Sequence, residues 1–149
     1  MAGSSSCMNQ TGKTGPVEAV LRFPSAVQRD ARITKWFAEP DYELRRMAEP
    51  WWERMRACGA DVREVLHDSY PTACVEDAPF AYVRAFSAHA NVGFFYGAFL
   101  GDRAGILEGS GRRMRHVKLR WGERVNEPAL IELISVAYRD IQLRLRSSG

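Results

Sequence analysis

Apolar positions along the chain change their period twice, and the changes divide it into helical, extended and helical stretches. Val27, Ala31, Ile33 and Phe37 form a partial helical stripe over Ala26–Ala38, with Ser25 after Pro24 as the expected N-cap. Leu44, Met47, Trp51 and Met55 then repeat at three and four residues, which predicts a second helix capped by Asp41 and stopped at Gly59. Pro50 lies inside that pattern and predicts a kink or split, because proline has no backbone donor.

After Gly59 the period becomes two. Val62–His67 and Tyr70–Val75 read as short strands around Asp68-Ser69. Phe80–Phe86 and Asn91–Tyr96 are rich in aromatic and β-branched residues and form the strongest hairpin signal, with its turn at Ser87–Ala90. Alternation places Phe80, Tyr82, Arg84 and Phe86 on one face, and Ala81, Val83 and Ala85 on the other. The glycine-rich stretch Leu100–Met114 reads as a loop with one helical turn near Ala104–Leu107. Arg115–Arg120 alternates again, with Val117 and Leu119 opposite His116, Lys118 and Arg120. Asn126 is the expected cap of a last helix, Glu127–Leu145, striped by Leu130, Ile134, Ala137, Ile141 and Leu145.

Helices, then consecutive strands joined by short turns, then a helix define an α+β fold: an antiparallel β-sheet of about five strands with helices packed on one face. Met1–Gly15, rich in Ser, Gly, Thr and Asn, reads as a flexible tail, with Pro16–Arg22 as an extended lead-in. Residues 16–149 form a single domain, the ordinary outcome for a chain of 149 residues.

Composition changes this picture little: 46% hydrophobic and 26% charged residues are ordinary for a globular domain. No apolar run is long enough to span a bilayer, and the N-terminal residues lack the apolar core of a secretory signal. Three scattered cysteines, Cys7, Cys58 and Cys74, are not a disulfide framework, so the expected location is cytoplasmic. Charge is uneven. Residues 1–100 carry 11 Lys and Arg against 12 Asp and Glu, whereas residues 101–149 carry 10 against 6. The basic C-terminal part implies an anionic partner, although it lacks the aromatic-plus-basic alternation of an RNA-binding sheet, which argues against nucleic acid.

The candidate chemistry concentrates in Glu108–His116. Gly109 and Gly111 beside Arg112, Arg113 and Arg115 have the ingredients of a backbone nest with guanidinium forks for a phosphate or carboxylate. The bland alternative is a tight turn with solvated arginines. The loop precedes a strand, so it is neither a Rossmann nor a Walker loop. His67, His89 and His116 all sit on predicted strands or strand ends, and an antiparallel sheet can bring two of them together. None belongs to an HxH, HxxxH or HExxH pattern, and a histidine at a strand end commonly serves a turn. No nucleophile–base pair is visible, so no catalytic residue is assigned. Apolar positions on both sheet faces, with Trp51-Trp52 and Phe94-Phe95-Tyr96, imply a ligand groove or a homodimer interface, against core packing as the bland reading.

The stretch Ala81-Tyr82-Val83, Phe86-x-x-His89, Asn91-Val92-Gly93-Phe94-Phe95, Gly97-Ala98 and Leu107-Glu108-Gly109-x-Gly111-x-x-Met114-Arg115-His116-Val117 resembles the YdhG-like domain family. The resemblance extends upstream through Trp52-x-x-Met55-Arg56-x-Cys58-Gly59 and His67-Asp68-x-x-Pro71-Thr72-Ala73, and into Ala137-Tyr138-Arg139-Asp140. It covers roughly residues 50–142 and implies a small α+β domain with an antiparallel sheet. Members are mostly of unknown function, and some are described as frataxin-like iron chaperones, a role needing clustered oxygen ligands. Two expectations follow: a binding or interaction domain holding an anionic small molecule or a protein partner at Glu108, Gly109, Gly111, Arg112, Arg113, Arg115, His116 and His89, or an iron-binding protein. The carboxylates Glu39, Asp41, Glu43, Glu49 and Glu53 are interleaved with arginines, the pattern of a solvated, salt-bridged face.

Overall fold

The computed structural model describes residues 19–148. The expectation of a tail over Met1–Gly15, and the start of the lead-in, lie outside the described residues. Three helices, α1 (Ala31–Ala38), α2 (Glu43–Arg56) and α3 (Glu127–Ser148), accompany five strands: β1 (Val62–His67), β2 (Tyr70–Val75), β3 (Ala78–Ala85), β4 (His89–Phe94) and β5 (Arg115–Arg120). The strands form one antiparallel sheet in chain order, β1-β2-β3-β4-β5, as the alternating stretches predict. The α+β expectation is met, and β1, β2 and β5 agree residue for residue with the sequence reading.

Helix boundaries differ where tertiary contacts decide them. The first helix starts at Ala31, not Ala26, because its cap is Asp30: the Asp30 carboxylate accepts from the Arg32 N–H at 3.0 Å and from the Leu66 N–H at 3.2 Å. Ser25 instead precedes a segment that Val27 pairs to β1 through two backbone bonds with Glu64. Asp41 does not cap α2. It takes a positive φ of 69°, and Tyr42 precedes the helix without a side-chain bond. Helix α2 also runs unbroken through Pro50 and ends at Arg56, before Gly59. Asn126 behaves as predicted, its Oδ1 accepting from the Ala129 N–H at 3.2 Å.

The helices cover one face of the sheet, where Ala81, Val83, Val92 and Phe94 are fully buried with Trp52, Met55, Leu130 and Ile134. Phe80 joins them and does not share the face of Tyr82. A β-bulge shifts the β2–β3 register between Ala73 and Cys74, leaving Phe80 without a partner, and its ring packs on Tyr138 of α3 at 5.8 Å.

The second face is divided. Residues 20–28 cover its β1–β2 half: Phe23 stacks on His67 at 4.0 Å and meets Phe95 edge-on at 5.7 Å, and Ala26 packs with Val65 and Cys74. Among the described residues, the half formed by β3, β4 and β5 keeps Arg84 exposed and His89, His116 and Lys118 half-buried, and the candidate site lies there.

Candidate functional site on the open half of the sheet

Register assembles this surface. Arg84 of β3 stands opposite Asn91 of β4, which stands opposite Lys118 of β5, so the three form one row across the sheet. The neighbouring rows on the same face pair Tyr82, Gly93 and His116 on one side, and His89 with Arg120 on the other. Three cations, two imidazoles and an amide therefore share one surface, with Glu108 as its nearest acid at 3.8 Å from the Lys118 ammonium.

Each side chain is held for a specific reason. The Arg84 guanidinium lies over the Tyr70 ring at 5.1 Å and over the Phe86 ring at 4.9 Å. No carboxylate pairs with it among the described residues, so two aromatic faces orient a guanidinium whose donors remain available. His89 stacks on Phe86 at 4.7 Å, and the Phe86 N–H donates to its carbonyl across the hairpin turn. Asn91 is buried, and its Oδ1 has no hydrogen-bond partner among the described residues, an unusual state for a buried polar atom. Gly93 makes room for the Tyr82 ring: a Cβ there would lie 1.9 Å from the Tyr82 Cζ.

Both imidazoles are pushed below the ordinary histidine pKa. Desolvation is the main cause for each. Lys118, Arg120 and His116 add to it at His89, while at His116 Glu108 opposes it and Lys118 reinforces it. The free surface thus carries neutral histidines beside permanent cations.

The predicted Gly/Arg loop is placed beside this surface but is built mainly to hold itself. Glu108 and His116 exchange backbone bonds at 2.7 and 2.9 Å, closing the loop onto β5. Arg115 turns back and donates to the carbonyls of Gly111 and Met114. Gly109 takes the left-handed φ of 121° that its turn requires, whereas Gly111 has no such conformation. The Arg113 carbonyl accepts from the Ala98 N–H at 2.8 Å, and Arg112 is exposed at the loop tip. The helical turn expected at Ala104–Leu107 is absent. The Asp102 carboxylate organises that stretch by accepting from the Ile106 and Leu107 N–H groups, and the short 3-10 turn lies earlier, at Gly97–Phe99.

Among the predicted residues the structure therefore gathers Glu108, His116 and His89 at the open surface. Arg84, Asn91 and Lys118 were not among the sequence candidates. Alternation had already placed Arg84 with Tyr82, and Lys118 with His116. The missing information was the register that puts them in one row.

Neither described cysteine has the lowered pKa of an activated thiol. Burial pushes the Cys58 thiol up to about 11, and Cys74, fully buried, up to about 12. Among the described residues no group of three His, Cys, Asp or Glu side chains comes together that could hold a metal ion. In α2, Glu53 lies 3.6 Å from Arg56, while Arg45 and Arg46 donate to the carbonyls of Trp36 and Glu39. No helix among the described residues is long and apolar enough to cross a membrane.

No family model, no curated protein and no solved structure matches this chain.

Proposed function

We propose that this chain is a YdhG-like binding domain that holds a small anion on the open half of its sheet, between Arg84 and Lys118 and beside His116. The observation that carries the reading is the Arg84–Asn91–Lys118 row, in which a guanidinium held by aromatic faces and an ammonium flank one amide on the same sheet face. A phosphate or carboxylate placed there accepts from the guanidinium and the ammonium, and strong, charge-assisted bonds of this kind are the usual basis of anion recognition. The histidines add proton-dependent charge at the rim. The Glu108–His116 loop serves as a wall, which narrows the role first read for its arginines. The frataxin-like iron reading rests on the family resemblance alone.

Titration with inorganic phosphate tests the proposal. Arg84→Ala is expected to weaken binding about tenfold, the factor that a charge-assisted hydrogen bond of about 1.5 kcal/mol carries. Lys118→Ala is expected to act in the same direction. Equal affinity in wild type and both variants contradicts the reading.

A further inference from the structure

The outer edge of β5 faces a cleft of about 880 Å³, which lies between α2, the residues after β5 and the start of α3. On an antiparallel strand, the N–H and C=O of one residue point to the same side, and alternate residues share that side. His116 gives both groups to Glu108, on the side away from β4. Lys118 and Arg120 therefore also point outward, toward the cleft they line. The Arg120 carbonyl accepts from the Glu123 N–H at 3.1 Å. Both backbone groups of Lys118 and the N–H of Arg120 have no backbone partner among the described residues. Glu108 thus begins a sixth strand that stops after one bridge, and the ladder beyond it is open.

The cleft beside this edge selects among occupants. Trp51, Leu119 and Ile131 line it with apolar surface, and Arg54, Arg120 and Arg124 with charge. None of these three arginines takes part in an ion pair among the described residues, and the acids Glu123 and Glu127 leave the lining net positive. A second copy of the chain fits poorly. Two β5 edges side by side would set Arg115, Lys118 and Arg120 against the same cations, and like charges directly opposite are destabilising.

We propose that the Lys118–Arg120 edge is a docking site for an extended acidic peptide segment of a partner protein, which adds to the sheet as a further strand. Main-chain bonds to Lys118 and Arg120 supply registration, alternate side chains reach the Trp51–Ile131 surface, and acidic side chains meet the three arginines. This site rests on the main chain of the sheet edge, whereas the anion surface rests on side chains of the sheet face; Lys118 and Arg120 border both, so substitutions at Arg54 and Arg124 test the edge and Arg84→Ala tests the face.

The test uses a fluorescent peptide alternating aspartate and valine, the same peptide with alternate backbone nitrogens methylated, and the full chain. The plain peptide is expected to bind, to slow hydrogen exchange at the Lys118 and Arg120 amides, and to bind at least about tenfold more weakly to the Arg54→Glu, Arg124→Glu double variant. Methylation, which removes peptide N–H donors and leaves the charge intact, is expected to cause a similar loss. No binding by the plain peptide overturns the proposal. Equal binding of plain and methylated peptides also overturns it, because it reduces the contact to charge attraction. A dimer of the protein alone that protects the same two amides assigns the edge to a second copy and overturns it as well.

Discussion

Arg56 and Glu64 form a two-pronged ion pair in which the carboxylate is fully buried: Arg56 Nε and Nη2 donate to the two Glu64 oxygens at 2.9 and 2.8 Å. Glu64 also accepts from the Asp30 N–H at 2.9 Å. One side chain of edge strand β1 thus ties the end of α2 to the start of α1. Removing Arg56 leaves a buried carboxylate short of its partner, and such a loss costs about 3–5 kcal/mol. Arg56→Met is expected to lower stability by that order in denaturant unfolding. Arg32→Ala, which removes a largely exposed, solvent-screened partner of Asp30, is expected to have a much smaller effect. Equal effects would remove Glu64 from its organising role.

The close approach of Tyr82 to Gly93 gives a second prediction. Gly93→Ala must push the Tyr82 ring aside and is expected to destabilise by about 1–3 kcal/mol, the usual cost of overpacking. In a Tyr82→Ala background the same substitution is expected to cost almost nothing. Additive effects in this double-mutant cycle would contradict the contact.

These two predictions mark what was legible in the sequence. The α+β order, three strands to the residue and the Asn126 cap follow from alternation and local hydrogen bonding, which need no partner element. The start of α1 does not, because Asp30 is fixed as its cap partly by Leu66, 36 residues away. The side of Phe80 depends on a bulge made with β2, which strict alternation cannot contain. At the candidate site, Gly109 and His116 were marked by their residue types. Arg84 was not, since its availability depends on Tyr70 and Phe86 replacing a carboxylate as its support.

The two depressed histidines give the anion site a pH dependence. In the free protein His89 and His116 favour the neutral form, so their protonation begins below the ordinary value of about 6.5. A bound anion stabilises the protonated form, so binding takes up protons, and affinity must rise as pH falls through this range. Sulfate, whose charge is constant here, is the suitable probe. Its affinity is expected to increase from about pH 8 to about pH 5.5, and the increase is expected to vanish in a His89→Gln, His116→Gln variant. A flat profile in wild type would contradict the placement of both imidazoles at the site.

Thiol chemistry offers a further check on the packing of the second face. Cys74 is fully buried beneath residues 20–28, and its thiol is held near 12, so native protein at neutral pH is expected to leave it unmodified by a thiol-reactive disulfide reagent. Cys58, half-buried and held near 11, is expected to react slowly. Peptide mapping after labelling distinguishes the two. Rapid labelling of Cys74 would mean that residues 20–28 do not cover the β1–β2 half.

The anion surface itself is tested most directly by following backbone and side-chain amide resonances during titration with inorganic phosphate. The predicted result is a saturable set of shifts centred on the Asn91 side-chain amide and the amides of Arg84, His116 and Lys118, absent in Arg84→Ala. Saturable shifts confined to other parts of the molecule, or no saturable shifts at all, would contradict it.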